Sequence, residues 1–368
     1  MIFNEKTSKF IKFQQAMSKF LFFSFLAILT LLTSYDFSRP KANIGHFEVD
    51  EWGVEEALIK LGDSAYSHHI ADLDPKKAEM GKDLVFKGFT TYNGKKSKRI
   101  SPYFVCTDCH NTQREFGSER GLGMVHPKDN DPQKRLAYAI KNDLPFLPGS
   151  TLWGIYNRTS FYNGDYRKKY DGLVDKAKDD LPEAIQVCSK YCSSGRILKD
   201  WELESIMHYF KSEELKIKDL GLGANQKKNL LKYQSLDSGE KRGLIYSIKD
   251  EYFQSYPANF LYTMPKDKRG YGKNGNSENG KELFERSCLH CHGEKRVTYL
   301  GLDNSKLTGK FFLKYMKGYT DQSLYQIIRW GTYPKSGRKQ YMPQYSKEKM
   351  SDDQIEDLIA YMKQLSQK

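Results

Sequence analysis

Six cysteines stand in three close pairs, and two of the pairs run straight into a histidine: Cys106-Thr107-Asp108-Cys109-His110 and Cys288-Leu289-His290-Cys291-His292. From composition alone, roughly 0.002 such strings are expected. The spacing has a chemical reason. Two thiols add across the two vinyl groups of one porphyrin, and the following histidine falls under the iron as its proximal ligand. The pattern predicts two covalently bound haem c groups. Cys106, Cys109 and His110 hold one, Cys288, Cys291 and His292 the other, with His110 and His292 on the irons. A zinc site built from two C-x-x-C pairs keeps them ~15–20 residues apart. Here the pairs are distant and each brings its own histidine. A thioredoxin-like reading needs a βαβ context, and none is visible.

Haem attachment of this kind takes place outside the cytoplasm, and the N-terminus agrees. Phe20 to Thr33 is an uncharged apolar run, preceded by Lys6, Lys9, Lys12 and Lys19 and followed by Asp36 and Arg39. That is the pattern of a secretory signal or a signal anchor, so 1–40 is read as one or the other. Met17 is an alternative start with a conventional short basic region. No small-x-small cleavage site follows the run, and it is shorter than the ~20 residues of a comfortable span. The remainder is expected in the periplasm or another extracytoplasmic space, tethered to the inner membrane where the segment stays uncleaved. No other stretch is apolar enough to cross a membrane, which excludes a multi-pass transporter. The 368 residues make roughly two domains plus ends at about 150 residues each. The formal charge of +13 favours acidic redox partners, anionic lipid or small anions. Nucleic acid is not an expected partner of an exported chain.

The C-terminal block reads as helices. Gly280 to Arg286 leads into Cys288, after a Gly-rich loop. Asp321 to Trp330 follows, with Thr320 as its N-cap, and Leu324, Ile327 and Ile328 on one face. Ser351 to Leu365 starts with Ser351 and Gln354 in a capping-box arrangement. Over 275–368 this block resembles a class I cytochrome c domain. The resemblance implies that Gly280 and Phe284 pack against an aromatic of the last helix, Tyr361. It also implies that Met342, in Gln340-Tyr341-Met342-Pro343, is the distal ligand of the second haem. His290 is read as a surface residue.

The first haem region, 75–215, reads as a second, elaborated cytochrome c-like domain. Gly81 to Phe86 opens it, a basic insertion follows from Lys87 to Ser101, and Trp201 to Phe210 closes it, with Tyr209 as the packing aromatic. Residues 216–272 read as a linker with short helices, Gln226 to Tyr233 among them, and 273–368 as the class I domain. The fold class is thus mainly α, with two tandem haem domains behind a signal or anchor helix. Met124, His126, Cys188, Cys192, Met207 and His208 are the candidates for the distal ligand of the first haem.

One ordered set of motifs bears on that ligand. Leu152-Trp153-Gly154-Ile155-Tyr156 is followed by Asp165-Tyr166-Arg167, then Leu181 to Cys188, a Ser-Ser-Gly turn and a Trp-Glu-x-Glu helix. This order is similar to the catalytic domain of di-haem thiosulfate dehydrogenases and, more distantly, to the catalytic cytochrome of the Sox sulfur-oxidising system. The resemblance implies that Cys188 binds the first haem iron and is the catalytic residue. The chain departs from that pattern at Ala184, where the family has Arg, and in its extra Cys192. Residues four apart share a helix face, so a Cys188–Cys192 disulfide stands beside the ligand reading. Arg158, Arg167 and Arg196 are candidates to hold a small anion, since a guanidinium offers forked donors.

The reading that needs only the strong features is electron transfer between redox partners. Oxidation of a small sulfur anion such as thiosulfate is the alternative. A bacterial di-haem peroxidase ranks lower, because no matching ligand set surrounds His126.

Overall fold

The computed structural model describes residues 48–115, 131–252, 258–294, 298–332 and 342–368. The apolar run 20–33, Met124, His126, Gln340 and Tyr341 lie outside them. No helix among the described residues is long and apolar enough to cross a membrane. The described chain is mainly helical, with one two-stranded antiparallel hairpin of β1 (Thr91–Tyr92) and β2 (Lys95–Lys96), Thr91 opposite Lys96.

The helices that position the site are α1 (Val54–Lys60), α2 (Pro75–Lys87), α3 (Pro132–Lys141), α4 (Leu181–Val187), α5 (Asp200–Ser212), α6 (Ala224–Leu231), α7 (Ser238–Tyr252), α8 (Ser277–Leu283), α9 (Lys306–Tyr315), α10 (Leu324–Trp330) and α11 (Asp352–Gln367). Their starts follow capping chemistry. Asp74, Asp131 and Asp180 each accept backbone N–H bonds at the head of α2, α3 and α4, each with a proline in the first turn. Ser351 and Gln354 close the expected capping box on α11, with bonds of 3.1 Å each way. The Thr320 cap is corrected: α10 starts at Leu324, three residues late. The Ser323 hydroxyl donates to the Met316 carbonyl, and the Ser323 N–H bonds Thr320 O in a turn ahead of the helix.

Two helix crossings repeat the same design. In the first haem region α2 crosses α5 at Gly81, where an added Cβ would overlap the Ser205 carbonyl oxygen. In the C-terminal region α8 crosses α11 at Gly280, where it would overlap the Asp357 carbonyl oxygen. Four residues past each contact stands an aromatic. Tyr209 meets Phe86 at 6.2 Å between ring centroids, and Tyr361 meets Phe284 at 5.9 Å. Glycine is what lets the backbones approach this closely.

Three apolar cores result. One joins α2, α5 and the 156–198 segment around Leu84, Tyr156 and Ile206. A second joins α8, α10 and α11 around Phe284, Leu358 and Met362, and takes in Leu136, Ala139 and Phe146 of the α3 region. A third packs Val49, Val54 and Leu58 against Leu215, Leu230 and Ile248. Each such side chain, fully buried, contributes about 1.5–3 kcal/mol of transfer free energy. The stretch 216–272, expected as a linker, thus carries apolar faces that close on α1. The basic insertion forms the exposed hairpin, and Tyr92 on it stacks on Trp201 at 4.0 Å.

Candidate functional site

The first Cys-x-x-Cys-His string is a tight turn. Val105 N–H donates to Asp108 Oδ2 at 2.8 Å, and the His110 N–H donates to the Cys106 carbonyl at 3.0 Å. His110 Nδ1 lies 2.6 Å from the Ser150 carbonyl oxygen. That oxygen only accepts, so Nδ1 carries the proton and the Nε2 lone pair is left for a metal. Gly149 makes this possible: a Cβ there would stand 2.6 Å from His110 Nδ1. The second string behaves alike. His292 Nδ1 lies 2.9 Å from the Leu300 carbonyl, and Leu302 N–H donates to His292 O at 2.7 Å. Burial lowers the pKa of both imidazoles, which favours the neutral form that binds metals. Burial also pushes the Cys106 and Cys288 thiols up to about 12.

A cleft with about 1620 Å³ of space, its open mouth included, lies beside the first string. Cys106, Cys109 and His110 form one wall. Tyr162, Tyr166, Cys188 and Cys192 stand on another, and Leu198, Ile206 and Phe210 close the apolar lining. Pro343, Gln344 and Lys349 reach in from the C-terminal region. Two thiols and one metal-ready imidazole on a large apolar cleft are a donor set that fits a thioether-linked haem.

Cys188 and Cys192 come together in this cleft. Both are free thiols, hydrogen-bonded to one another, and they bracket a π-wound turn that continues α4. The pair shares its hydrogen unequally. The Cys188 thiol is pushed well up by its bond to Cys192 and by burial. Cys192 is held below the usual thiol range by that bond, by Tyr170 and by the nearby Lys169 ammonium, against burial. Its Sγ lies 3.8 Å from the Tyr170 hydroxyl.

The other candidates land elsewhere. Met207 is buried in the first core. His208 is buried on α5, and its Nδ1 accepts from the Asp74 N–H at 3.2 Å, a structural role. Met124 and His126 fall outside the described residues. Arg158 lines the cleft and donates to the Thr151 carbonyl at 2.6 Å. Arg167 is exposed and paired with Asp175, and Arg196 is forked onto Glu202 at 2.6 and 2.7 Å. His290 is half-buried rather than on the surface. Met342 is half-buried. Its backbone is pinned to Thr332, which receives one bond of 2.7 Å at its hydroxyl and donates another of 2.8 Å from its N–H.

The two strings touch, which nothing in the sequence suggested. Cys291 Sγ lies 3.8 Å from the Asp108 carbonyl oxygen. Phe146 N–H donates to Arg286 O at 3.0 Å, and the Ser287 hydroxyl donates to Phe146 O at 2.9 Å. Residues 146–150 therefore run from the approach to Cys288 to the carbonyl that orients His110. A buried ion cluster that sequence reasoning missed secures this seam. Lys349 Nζ and Arg135 Nη2 lie 3.0 and 3.2 Å from the two oxygens of Glu115. The only signal for it was a charge beside a motif, in a chain full of charges.

The helix crossing at Gly280, the attachment string and the Met342 loop define a cytochrome c domain at the C-terminal end. Residues 275–362 match the family model described as cytochrome C oxidase, cbb3-type, subunit III. Such a domain carries covalent haem c and serves electron transfer. No curated protein and no solved structure matches the chain.

Proposed function

We propose that the chain is an extracytoplasmic di-haem c-type cytochrome that passes electrons between redox partners. Haem c, when bound, supplies a one-electron iron couple. Cys106, Cys109 and His110 hold the first group, Cys288, Cys291 and His292 the second, with Met342 opposite His292. The observation that carries the reading is the repeated histidine geometry. Each attachment histidine is locked by a carbonyl on Nδ1, at Ser150 and at Leu300, so its Nε2 is aimed by the backbone. The contact between Cys291 and the Asp108 carbonyl gives a short protein path between the two sites. The basic charge suits acidic partner proteins, and their association then weakens with salt.

Haem stoichiometry tests this. The full-length holoprotein is expected to give two haems per chain by pyridine haemochrome assay. A Cys106→Ala/Cys109→Ala variant and a Cys288→Ala/Cys291→Ala variant should each give one. A single haem in the unaltered protein overturns the di-haem reading.

A second reading has one observation in its favour, the presence of Cys188 and Cys192 in the same cleft as His110. A thiolate ligand there, from Cys188, belongs with oxidation of a small sulfur anion, with Arg158 as the anion's partner. Low-temperature EPR and near-infrared magnetic circular dichroism on the oxidised holoprotein decide it. A thiolate signature lost in Cys188→Ala supports sulfur chemistry. Two haems with only His or Met ligation, unchanged in the variant, leave electron relay alone.

A further inference from the structure

We propose that Cys188 and Cys192 are a redox-active dithiol that closes reversibly into a disulfide on the wall of the first cleft. The inference rests on the di-haem reading for one thing, the destination of the electrons. Attachment of two haems consumes four of the six cysteines and leaves these two as the remaining thiols. They are already in contact, hydrogen-bonded to one another, and both face the cleft that holds Cys106, Cys109 and His110.

The local backbone suits a bridge that opens and closes. In a regular helix, residues four apart keep their Cβ atoms ~5–6 Å apart, whereas a disulfide needs ~3.5–4.5 Å. Closure must tighten the turn, and this turn is π-wound rather than regular, with Ser193 N–H bonded to Cys188 O at 2.9 Å. A permanent structural bridge is not needed. The segment is already tied by Ser101 Oγ to Ser193 O at 2.6 Å and by Ser189 Oγ to Arg196 O at 2.8 Å. Gln186 adds two bonds to the Leu198 backbone, of 2.8 and 3.1 Å. Tyr170 and Lys169 beside Cys192 favour the thiolate, the form that reacts.

On closure, two S–H bonds break and one S–S bond forms. Two protons pass to water, and two electrons pass singly to two one-electron acceptors, the ferric haems of this chain or an added ferricyanide. A pair of one-electron centres matches the two electrons released.

Thiol counting on the full-length holoprotein tests it. Reduced with a phosphine, unfolded and alkylated, the chain should take up two groups, mapped to Cys188 and Cys192. Six groups would mean that the four attachment cysteines are free, and would overturn the di-haem reading. The peptide carrying Cys188 and Cys192 reports on the pair in either case. After anaerobic ferricyanide and removal of the oxidant, that peptide should take up none and weigh less by two hydrogens, and phosphine should restore it. Two groups still taken up, or oxygen gained instead of hydrogen lost, overturns the proposal. The Cys188→Ser/Cys192→Ser variant should consume two fewer equivalents of ferricyanide than the unaltered protein. Equal consumption overturns it as well.

Discussion

Glu115→Gln is expected to lower the unfolding free energy of the holoprotein by about 3–5 kcal/mol, the usual cost of removing one partner from a buried ion cluster. Glu115, Arg135 and Lys349 are all buried. One carboxylate oxygen accepts from Asn111 Nδ2 at 2.8 Å and from Arg135. The other accepts from Lys349 at 3.0 Å. Arg135 also donates to the Leu147 carbonyl at 2.6 Å and to the Lys349 carbonyl at 3.1 Å, and lies 4.1 Å over the Phe146 ring. The amide variant keeps the shape and leaves two buried cations without a counter-charge.

The pH dependence gives the prediction its signature. Burial alone would push the Glu115 carboxyl up, but Lys349 and Arg135 hold it down at about 2, from an ordinary 4.5. A lowered carboxyl stabilises the fold above its unfolded value and loses that stability as pH falls through its folded value. The difference between the two proteins should therefore be full at pH 7 and shrink between about pH 4.5 and about 2. Urea titrations across that range measure it. A difference under about 1 kcal/mol at pH 7, or one that does not change with pH, contradicts the expectation. Lys349 is lowered to about 8 by burial and by Arg135, despite Glu115. Its folded form holds fewer protons than the unfolded chain from about pH 8 to 10.5, so stability gains from that group as pH rises through the window.

Gly81→Ala and Gly280→Ala should each destabilise the holoprotein by about 3 kcal/mol, the upper part of the usual overpacking range. In an open helix the same change is stabilising by up to about 1 kcal/mol. Here each new methyl overlaps a backbone oxygen of the crossing helix, and at Gly280 it also stands 2.9 Å from Tyr361 Cβ. Backbone cannot rotate away as a side chain does, so the helices must part. Gly243 in α7 is the control, since it is exposed and nothing lies within 4 Å of its added Cβ. Gly243→Ala should stabilise by about 0.5–1 kcal/mol. Denaturant midpoints for the three variants check both signs together, and a stabilising Gly81→Ala or Gly280→Ala would refute the crossing geometry.

The parts legible in the sequence were those governed by near neighbours. The Cys-x-x-Cys-His spacing follows from the width of one porphyrin, and the Ser351–Gln354 box from one helical turn. Gly280 with Phe284 and Tyr361, and Tyr209 with the opening helix, followed from helical periodicity. The start of α10 was misplaced because Thr320 and Ser323 both look like caps, and only the Met316 carbonyl, which engages the Ser323 hydroxyl, separates them. Candidate ligands were harder. His208 reads as readily as a ligand as it does as a helix-packing residue, until Asp74 is seen donating to it.

By itself, the sequence determined where the thiols and histidines lie, which helices carry them and what each helix buries, because those depend on short-range spacing and on the apolar content of one face. The tertiary structure alone decided that the two attachment strings touch, that Cys188 and Cys192 share a cleft with His110, and that Glu115 meets Lys349 across 234 positions of chain. A buried charge is tolerable only beside its counter-charge, and that partner is chosen by how the chain returns, a choice no local pattern records.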